Sequence, residues 1–411
     1  MTSKLRTDAL AACEAAIAAA NPAEQTKRHI DEHRRAIEAA AHVHLLAAGK
    51  AAIPMMRAAL QALAGISLGT KIAVTNYENV EDITGVDVHG AAHPLPDENG
   101  ERAASAIETA ACAMNEGELV ICLISGGASA LLPAPIEGLS LEQKIEITND
   151  LLKCGADITE INTVRQALSR LKGGGLAKAI APAKYLSLIL SDVPGDDPAI
   201  IASGPTYLGE KKLNAHEVVK KFGIKLPVAL PESSVEIEVP NGSNIVIGSN
   251  DQSVLAMIDC LKGVGYTVHR IGDWLDGSAE DAARMFAQEA AVAGSGPVAF
   301  VAGGETSVEV SGNGLGGRNQ HMALSFAPQA RELKRSYCFA SCGTDGRDGP
   351  TEAAGGIVDD GTLALALKRN ADLQDFLARH DSHHGLKAID GLISTGGTGT
   401  NVADVQVLLL G

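Results

Sequence analysis

Short, largely apolar runs recur along this chain, and nearly every one breaks off into glycines and small polar residues just before a helix-like stretch. Val43–Ala48 runs into Gly49-Lys50 and then the helical run Ala51–Ala62. Glu118–Ile124 runs into Ser125-Gly126-Gly127-Ala128-Ser129, Tyr185–Leu190 into Ser191–Asp197, and Val298–Ala302 into Gly303-Gly304-Glu305-Thr306. Strand, turn and helix in repetition specify a mostly parallel sheet, because parallel neighbours can be joined only by a crossover and strand twist selects its right hand. A chain of 411 residues exceeds one ordinary core, so two domains are expected. The abundance of glycine and alanine, with only 3% aromatic residues, fits α/β layers with tight turns rather than an all-β sandwich. The pattern weakens between Gly209 and Gly242, where Pro227, Pro231 and Pro240 fall, and the connection between domains is expected there.

Ligands of open parallel sheets bind beyond the carboxyl ends of the strands. The residues after each apolar run are therefore the candidate site, joined by the loops Gly343–Thr351 and Ser394–Asn401. Lys50 stands at such an end. Asp192 and Asp345 stand at others, where a carboxylate either caps its turn or touches metal or substrate. The most pointed stretch is Gly312-Asn313-Gly314-Leu315-Gly316-Gly317-Arg318-Asn319-Gln320, which follows the strand-like Ser307–Val310 and opens the helical run His321–Ala327. Glycines let backbone N–H groups crowd an anion, and a helix N-terminus adds partial positive charge. A cation at that end works against the helix dipole, so Arg318 implies an anionic partner suited to its planar fork.

A net charge of −16 repels nucleic acid and anionic membranes, so neither is a general partner, and any anion site must be locally basic. Seven cysteines without a CxxC do not form a disulfide framework. No run is long and apolar enough to span a bilayer, and Leu10–Ile17, interrupted by Glu14, is a helix rather than a signal segment. A cytoplasmic location is expected. There is no Gly-x-x-x-x-Gly-Lys-Ser/Thr and no HExxH, and Gly127–Leu131 lacks the second glycine of a nucleophile elbow. His29 and His33 form a polar helix face, and His380, His383 and His384 a surface loop. The rival reading is a dinucleotide site, because Gly312–Gly317 satisfies G-x-G-x-x-G. Against it, the next strand, Tyr337–Ser341, ends without the acidic residue that pattern requires, and Asp345 comes late.

In this order the loops resemble the type II glycerate kinase (glycerate 2-kinase) family, whose C-terminal segment is the MOFRL domain. The matching pieces are Ser125–Leu131, Asn162–Arg165 with Leu168–Gly174, Ser191–Asp196, Ala202–Thr206, Gly303–Thr306, Gly316–Gln320, Thr344–Gly346 with Asp348–Thr351, and Gly399–Val402. The resemblance covers nearly the whole chain. It implies an α/β protein of two domains: a Rossmann-like three-layer α/β/α domain over 1–235 and a smaller α/β region over 240–411 containing MOFRL (about 297–405), with the active site in the cleft between them. It implies ATP-dependent phosphorylation of D-glycerate to 2-phosphoglycerate with Mg²⁺ or another divalent cation. Relatives labelled hydroxypyruvate reductase make NAD(P)H-dependent reduction the alternative. It also implies that Lys50 and Arg318 are the catalytic pair.

Phosphoryl transfer needs alignment and charge neutralisation more than covalent chemistry. On this reading Lys50 and Arg318 flank the transferring phosphoryl group or the glycerate carboxylate, and Asp192 orients the attacking hydroxyl. The backbone of Ser125, Gly126, Gly127, Ala128 and Ser129 cradles one anion. The loop containing Gly314, Gly316, Gly317 and Asn319 cradles another, with Thr400 and Asn401 close by. Arg165 and Lys172 are secondary candidates for the substrate carboxylate. Asp192, Glu305 or Asp345 holds the metal. A hinge within Gly209–Gly242 closes the cleft, and a homodimer is compatible with everything above.

Overall fold

The computed structural model describes residues 2–209, 213–231 and 241–411. The chain divides into two units: Pro22–Ile247, and Gly248–Gly411 together with the N-terminal segment up to Asn21. The division differs from the expected 1–235 and 240–411 at both ends. The N-terminal helix Thr2–Ala19 buries Leu5, Ala9, Ala12 and Ala16 against Val254, Met257 and Leu261 of the second unit. Pro240 and the expected boundary at 235–240 lie outside the described residues. Within the expected connection, Ala215–Lys221 is a helix whose Val218 packs with Leu230, Ile147, Leu151 and Val164. A helix of seven residues is too short to show periodicity in sequence.

The first unit is built on β1 (Val43–Ala48), β2 (Leu68–Asn76), β3 (Asp87–Ala91), β4 (Leu119–Ile124), β5 (Lys184–Leu190) and β6 (Gly242–Gly248). Their order is β3-β2-β1-β4-β5-β6, and the pairs from β3 through β5 are all parallel. All six residues of β1 and of β4 are buried. Leu46, Ala48, Val120 and Cys122 pack against Ala103, Ala104 and Ile107 of the helix Glu98–Cys112. Leu45, Ala47, Ile121 and Leu123 alternate to the opposite face, and the helix Ala52–Ala62 also lies on the sheet. Parallel pairing brings the carboxyl ends of β1 to β5 to one edge.

The second unit holds β7 (Thr267–Arg270), β8 (Val298–Gly304), β9 (Tyr337–Gly343), β10 (Gly355–Asp359), β11 (Leu392–Ile393) and β12 (Asp404–Leu410), in the order β11-β10-β9-β12-β8-β7. This sheet is mixed. β7 and β8 are parallel, whereas β12 inserts between β8 and β9 antiparallel to both. The helices Ala279–Val292 and Arg318–Gln329 pack on one side and Thr2–Ala19 with Asn250–Gly263 on the other. The expected strand Ser307–Val310 does not form; Ser307 makes only an isolated bridge to Ser278, and Glu309 and Val310 are exposed. Its alternating polarity reflects an exposed loop rather than a half-buried strand.

Candidate active site

At the carboxyl edge of the parallel sheet, Gly49 turns with φ +128°, and a Cβ there would fall 2.1 Å from Ser125 Oγ. Only glycine permits both that conformation and that approach. The loops after β1 and β4 are stitched together: Lys50 N–H donates to Gly126 O at 2.9 Å and Ala51 N–H to Ser125 Oγ at 3.0 Å. Asn79, in the turn after β2, donates to Lys50 O at 3.1 Å. Lys50 is thus held by its backbone, while no hydrogen bond or ion pair ties its ammonium to another described residue. A Cβ on Gly127 would meet Lys50 Cγ and His93 Cδ2, each at 3.2 Å, and one on Gly126 would meet Asp192 Oδ2 at 2.0 Å. Lys50, Gly126-Gly127, Asp192 and His93 therefore share one corner. Ser125 and Ala128 spend their N–H groups on Ala48 O and Ser125 O, whereas those of Gly126 and Gly127 have no partner among the described residues. The anion-binding capacity of the Ser125–Ser129 loop therefore lies in the N–H groups of those two glycines and of Ser129, which likewise has no partner among the described residues.

The secondary cations behave differently. Arg165 donates to Ser129 Oγ at 2.8 Å, and that oxygen lies 2.9 Å from Ser203 Oγ. Lys172 is buried and donates to the carbonyls of Ser129 at 2.6 Å and Leu132 at 3.3 Å. Burial, with Lys144 and Arg165 nearby, pushes its ammonium well below the usual lysine range. It tethers the loop rather than facing a ligand. Lys144 is buried with no partner for Nζ among the described residues, and burial, with Arg165 and Arg170, lowers it to about 7. It carried no motif, and nothing in the sequence singled it out.

In the second unit the glycine loop already holds anions, and they are the protein's own. Asn319 and Gln320 N–H donate to the Asp348 carboxylate at 3.1 and 2.8 Å, and both side-chain amides bind it too. Asp348 therefore fills the N-terminus of the helix Arg318–Gln329. Leu315 N–H donates to Asp381 at 3.0 Å. Cβ atoms on Gly314, Gly316 and Gly317 would collide with His380, Ser382 and Asp348, so these glycines serve close packing. Arg318 holds Asp404 in a two-point grip, Nε at 2.6 Å and the second guanidinium nitrogen at 3.1 Å, and reaches Glu305 at 2.7 Å. Burial lifts Asp404 to about 6 against the pull of Arg318. Burial opposes the Arg318 charge, but Asp404, Glu305 and Asp348 outweigh it and raise its pKa. The anion that offsets the dipole is Asp404, not a ligand alone.

Asp404 opens β12 and lies opposite Gly304 and Gly343. A Cβ on Gly343 would be 3.1 Å from Asp345 Oδ1 and 3.5 Å from Asp404 Oδ1. Glu305, Asp345 and Arg318 thus gather around Asp404, while Asp192 belongs to the other unit. Asp345 also caps its own turn, accepting from Arg347 N–H at 3.0 Å. Thr400 donates to Ala20 O at 2.6 Å and Asn401 accepts from Ala403 N–H at 3.3 Å, so both fix the chain before β12. Among the described residues no three His, Cys, Asp or Glu side chains form a metal-holding group. A Mg²⁺ ion carried on nucleotide phosphates needs only one or two protein carboxylates, which Asp345 and Glu305 can supply. His383 and His384 belong to a short helix, Ser382–Ala388, rather than a loop, and His380 stacks on His321.

Residues 8–234 match the model described as a domain of unknown function, DUF4147, and residues 298–404 match the MOFRL family. The D-glycerate 2-kinase of Thermotoga maritima is 40% identical over 379 residues, covering 90% of each chain. The chain belongs to the glycerate 2-kinase family. A glycerate kinase crystal structure from T. maritima superposes with a TM-score of 0.88 at 35% identity, covering the whole of both chains. A protein of Agrobacterium vitis named putative hydroxypyruvate reductase is 36% identical, covering 89% of this chain and 99% of its own. The family's α/β architecture is the one described above, with a parallel sheet in one unit and a mixed sheet in the other. No helix among the described residues is long and apolar enough to cross a membrane, and all seven cysteines are free thiols.

Two residues at these sheet edges carry no mark in the sequence. Asp404 begins a strand rather than ending one, and the antiparallel insertion of β12 brings that start to the edge where β8 and β9 end. His93 lies in the stretch Gly90–Asn99, whose His, Pro and acidic residues show no strand or helix period. The short strand β3, which delivers it, shows no strand pattern in the sequence, because Asp87–Ala91 contains only two apolar side chains, Val88 and Ala91.

Proposed function

We propose that this chain transfers the γ-phosphoryl group of ATP to D-glycerate, giving 2-phosphoglycerate, in the cytoplasm and with Mg²⁺ as the divalent cation. The observation that carries this reading is the end-to-end likeness to D-glycerate 2-kinase across both units. The corner at Lys50 supports it. An untethered ammonium beside two unpaired amide N–H groups suits a phosphoryl group, whose transfer is governed by charge and alignment. Asp192 orients the hydroxyl. Arg318, fixed by Asp404, has engaged three of its five N–H bonds and keeps capacity for an anionic oxygen. Asp345 and Glu305 would hold a Mg²⁺ ion, which would supply charge neutralisation for the phosphates. The reading requires Lys50 and Arg318 to act in the same turnover.

The test is formation of ADP from D-glycerate, ATP and Mg²⁺, with the product identified by NMR, alongside hydroxypyruvate with NADH followed by NADH absorbance. ADP formation with 2-phosphoglycerate as product is expected; NADH consumption without ADP would overturn the proposal. The reductase reading has lost its motif. Gly312–Gly317 follows no strand, and Asp348 occupies the helix end where a pyrophosphate would bind. Lys50→Ala should lower kcat by about 100- to 1,000-fold with unchanged thermal stability, since its ammonium holds no other group.

A further inference from the structure

We infer that His93 is a catalytic residue whose imidazole Nε2 accepts the proton of the glycerate hydroxyl as that oxygen attacks the γ-phosphorus. The inference rests on the kinase reading above. β3 ends at Ala91 and pairs in parallel with β2, so His93 emerges at the same edge as Lys50, Gly126-Gly127 and Asp192. Gly127, at φ +84°, shows this corner a bare Cα: a Cβ there would lie 3.2 Å from His93 Cδ2, 3.3 Å from Nε2 and 3.2 Å from Lys50 Cγ. The ring and the lysine stem thus flank one glycine whose N–H is unpaired.

The backbone leading to the ring is pinned. Ala92 N–H donates to Asp97 Oδ1 at 3.2 Å, and the same oxygen caps the helix Glu98–Cys112 through Gly100 N–H at 2.9 Å. Neither ring nitrogen of His93 hydrogen-bonds to a described residue. The charged groups acting on it are Lys50 from the turn after β1 and Glu78 from the turn after β2, while Asp192 lies against Gly126 in the loop after β4. Burial first, then the Lys50 charge, lower its pKa below 6.5 and outweigh Glu78. At neutral pH the ring is uncharged and has a lone pair to offer.

The step balances as follows. The hydroxyl O–H bond breaks and its proton passes to Nε2, while the oxygen forms the new bond to the γ-phosphorus. The bond from that phosphorus to the β,γ-bridging oxygen breaks, and ADP leaves with the electron pair. The imidazolium then releases its proton to water. Asp192 orients the same hydroxyl without taking the proton.

The experiment measures kcat, KM and the pH profile of ADP formation for the full-length wild type, His93→Gln, His93→Asn and His93→Ala, with D-glycerate, ATP and Mg²⁺. The wild-type rate should fall on an acid limb below pH 6.5. The variants should lose about 100-fold or more in kcat, keep KM for ATP, and lack that limb, and imidazole added to His93→Ala should restore part of the rate. A properly folded His93→Gln with near wild-type kcat, or with the acid limb intact, overturns the assignment while leaving the kinase reading standing. A wild type that forms no ADP overturns both. If His93→Ala fails to fold, the two amide variants carry the test, with thermal unfolding as the control.

Discussion

Removing Arg318 should cost stability as well as activity, and the size of that cost follows from Asp404. Asp404 is 1% exposed and gripped at two points by the guanidinium. Arg318→Ala leaves a buried carboxylate without its partner, and breaking such a pair typically costs about 3–5 kcal/mol. Here the charge has an escape, because Asp404 can take up a proton. Protonating at pH 7 a carboxyl whose ordinary value is 3.8 costs about 4 kcal/mol at 1.36 kcal/mol per unit. That is the ceiling at pH 7, and we expect a loss of about 2–4 kcal/mol. The sign with pH is fixed. Burial holds Asp404 above its unfolded value, so the cost of its charge vanishes below 3.8 and grows as pH rises. At pH 5 the ceiling is about 2 kcal/mol, so the penalty relative to wild type should shrink. The exposed contact to Glu305 adds little. Urea unfolding followed by the fluorescence of Trp274, the single tryptophan, reports on the unit containing the pair. Adding Asp404→Asn to Arg318→Ala should recover most of the stability and none of the activity. A single variant as stable as wild type, a penalty equal at pH 5 and pH 7, or a double variant no better than the single would refute this account.

Lys144→Met should stabilise the protein at pH 7 by roughly 3–5 kcal/mol less any packing loss, because it removes a buried amine that has no partner among the described residues. Its folded value, about 7, lies below 10.5, so the cost is fully present below pH 7 and fades as pH rises towards 10.5; urea midpoints at pH 7 and pH 9.5 should show the advantage narrowing, and an advantage independent of pH would contradict the assignment. Gly49→Ala should destabilise by about 3 kcal/mol and abolish turnover, since its Cβ meets Ser125 backbone as well as Oγ; a thermal scan showing no loss would refute the close approach.

How far the sequence was legible can be judged at three places. The runs that became β1, β4 and β5 were readable almost to the residue, because burial on both faces of a central strand leaves mainly apolar side chains, with His44 and Ser187 the buried exceptions. Lys50, Gly126, Gly127 and Asp192 could be collected from those runs, because parallel pairing sends every carboxyl end to one edge. The glycine loop before Arg318 carries the expected anion-holding pattern, and in the folded chain the carboxylates of Asp348 and Asp381 accept from amides in and just after it.

Apolar period and turn chemistry are properties of neighbours in the chain, so the parallel α/β layers, the glycine-bearing turns and the lysine at the end of β1 were already written in the order of residues. The partner of Arg318 lies 86 residues further on. It reaches the guanidinium because β12 runs antiparallel between β8 and β9, and that placement depends on which strands pair across the sheet. The burial that gives Lys144, Lys172 and Asp404 their altered acidities has the same origin: it exists only once distant segments have closed over each group and taken water away.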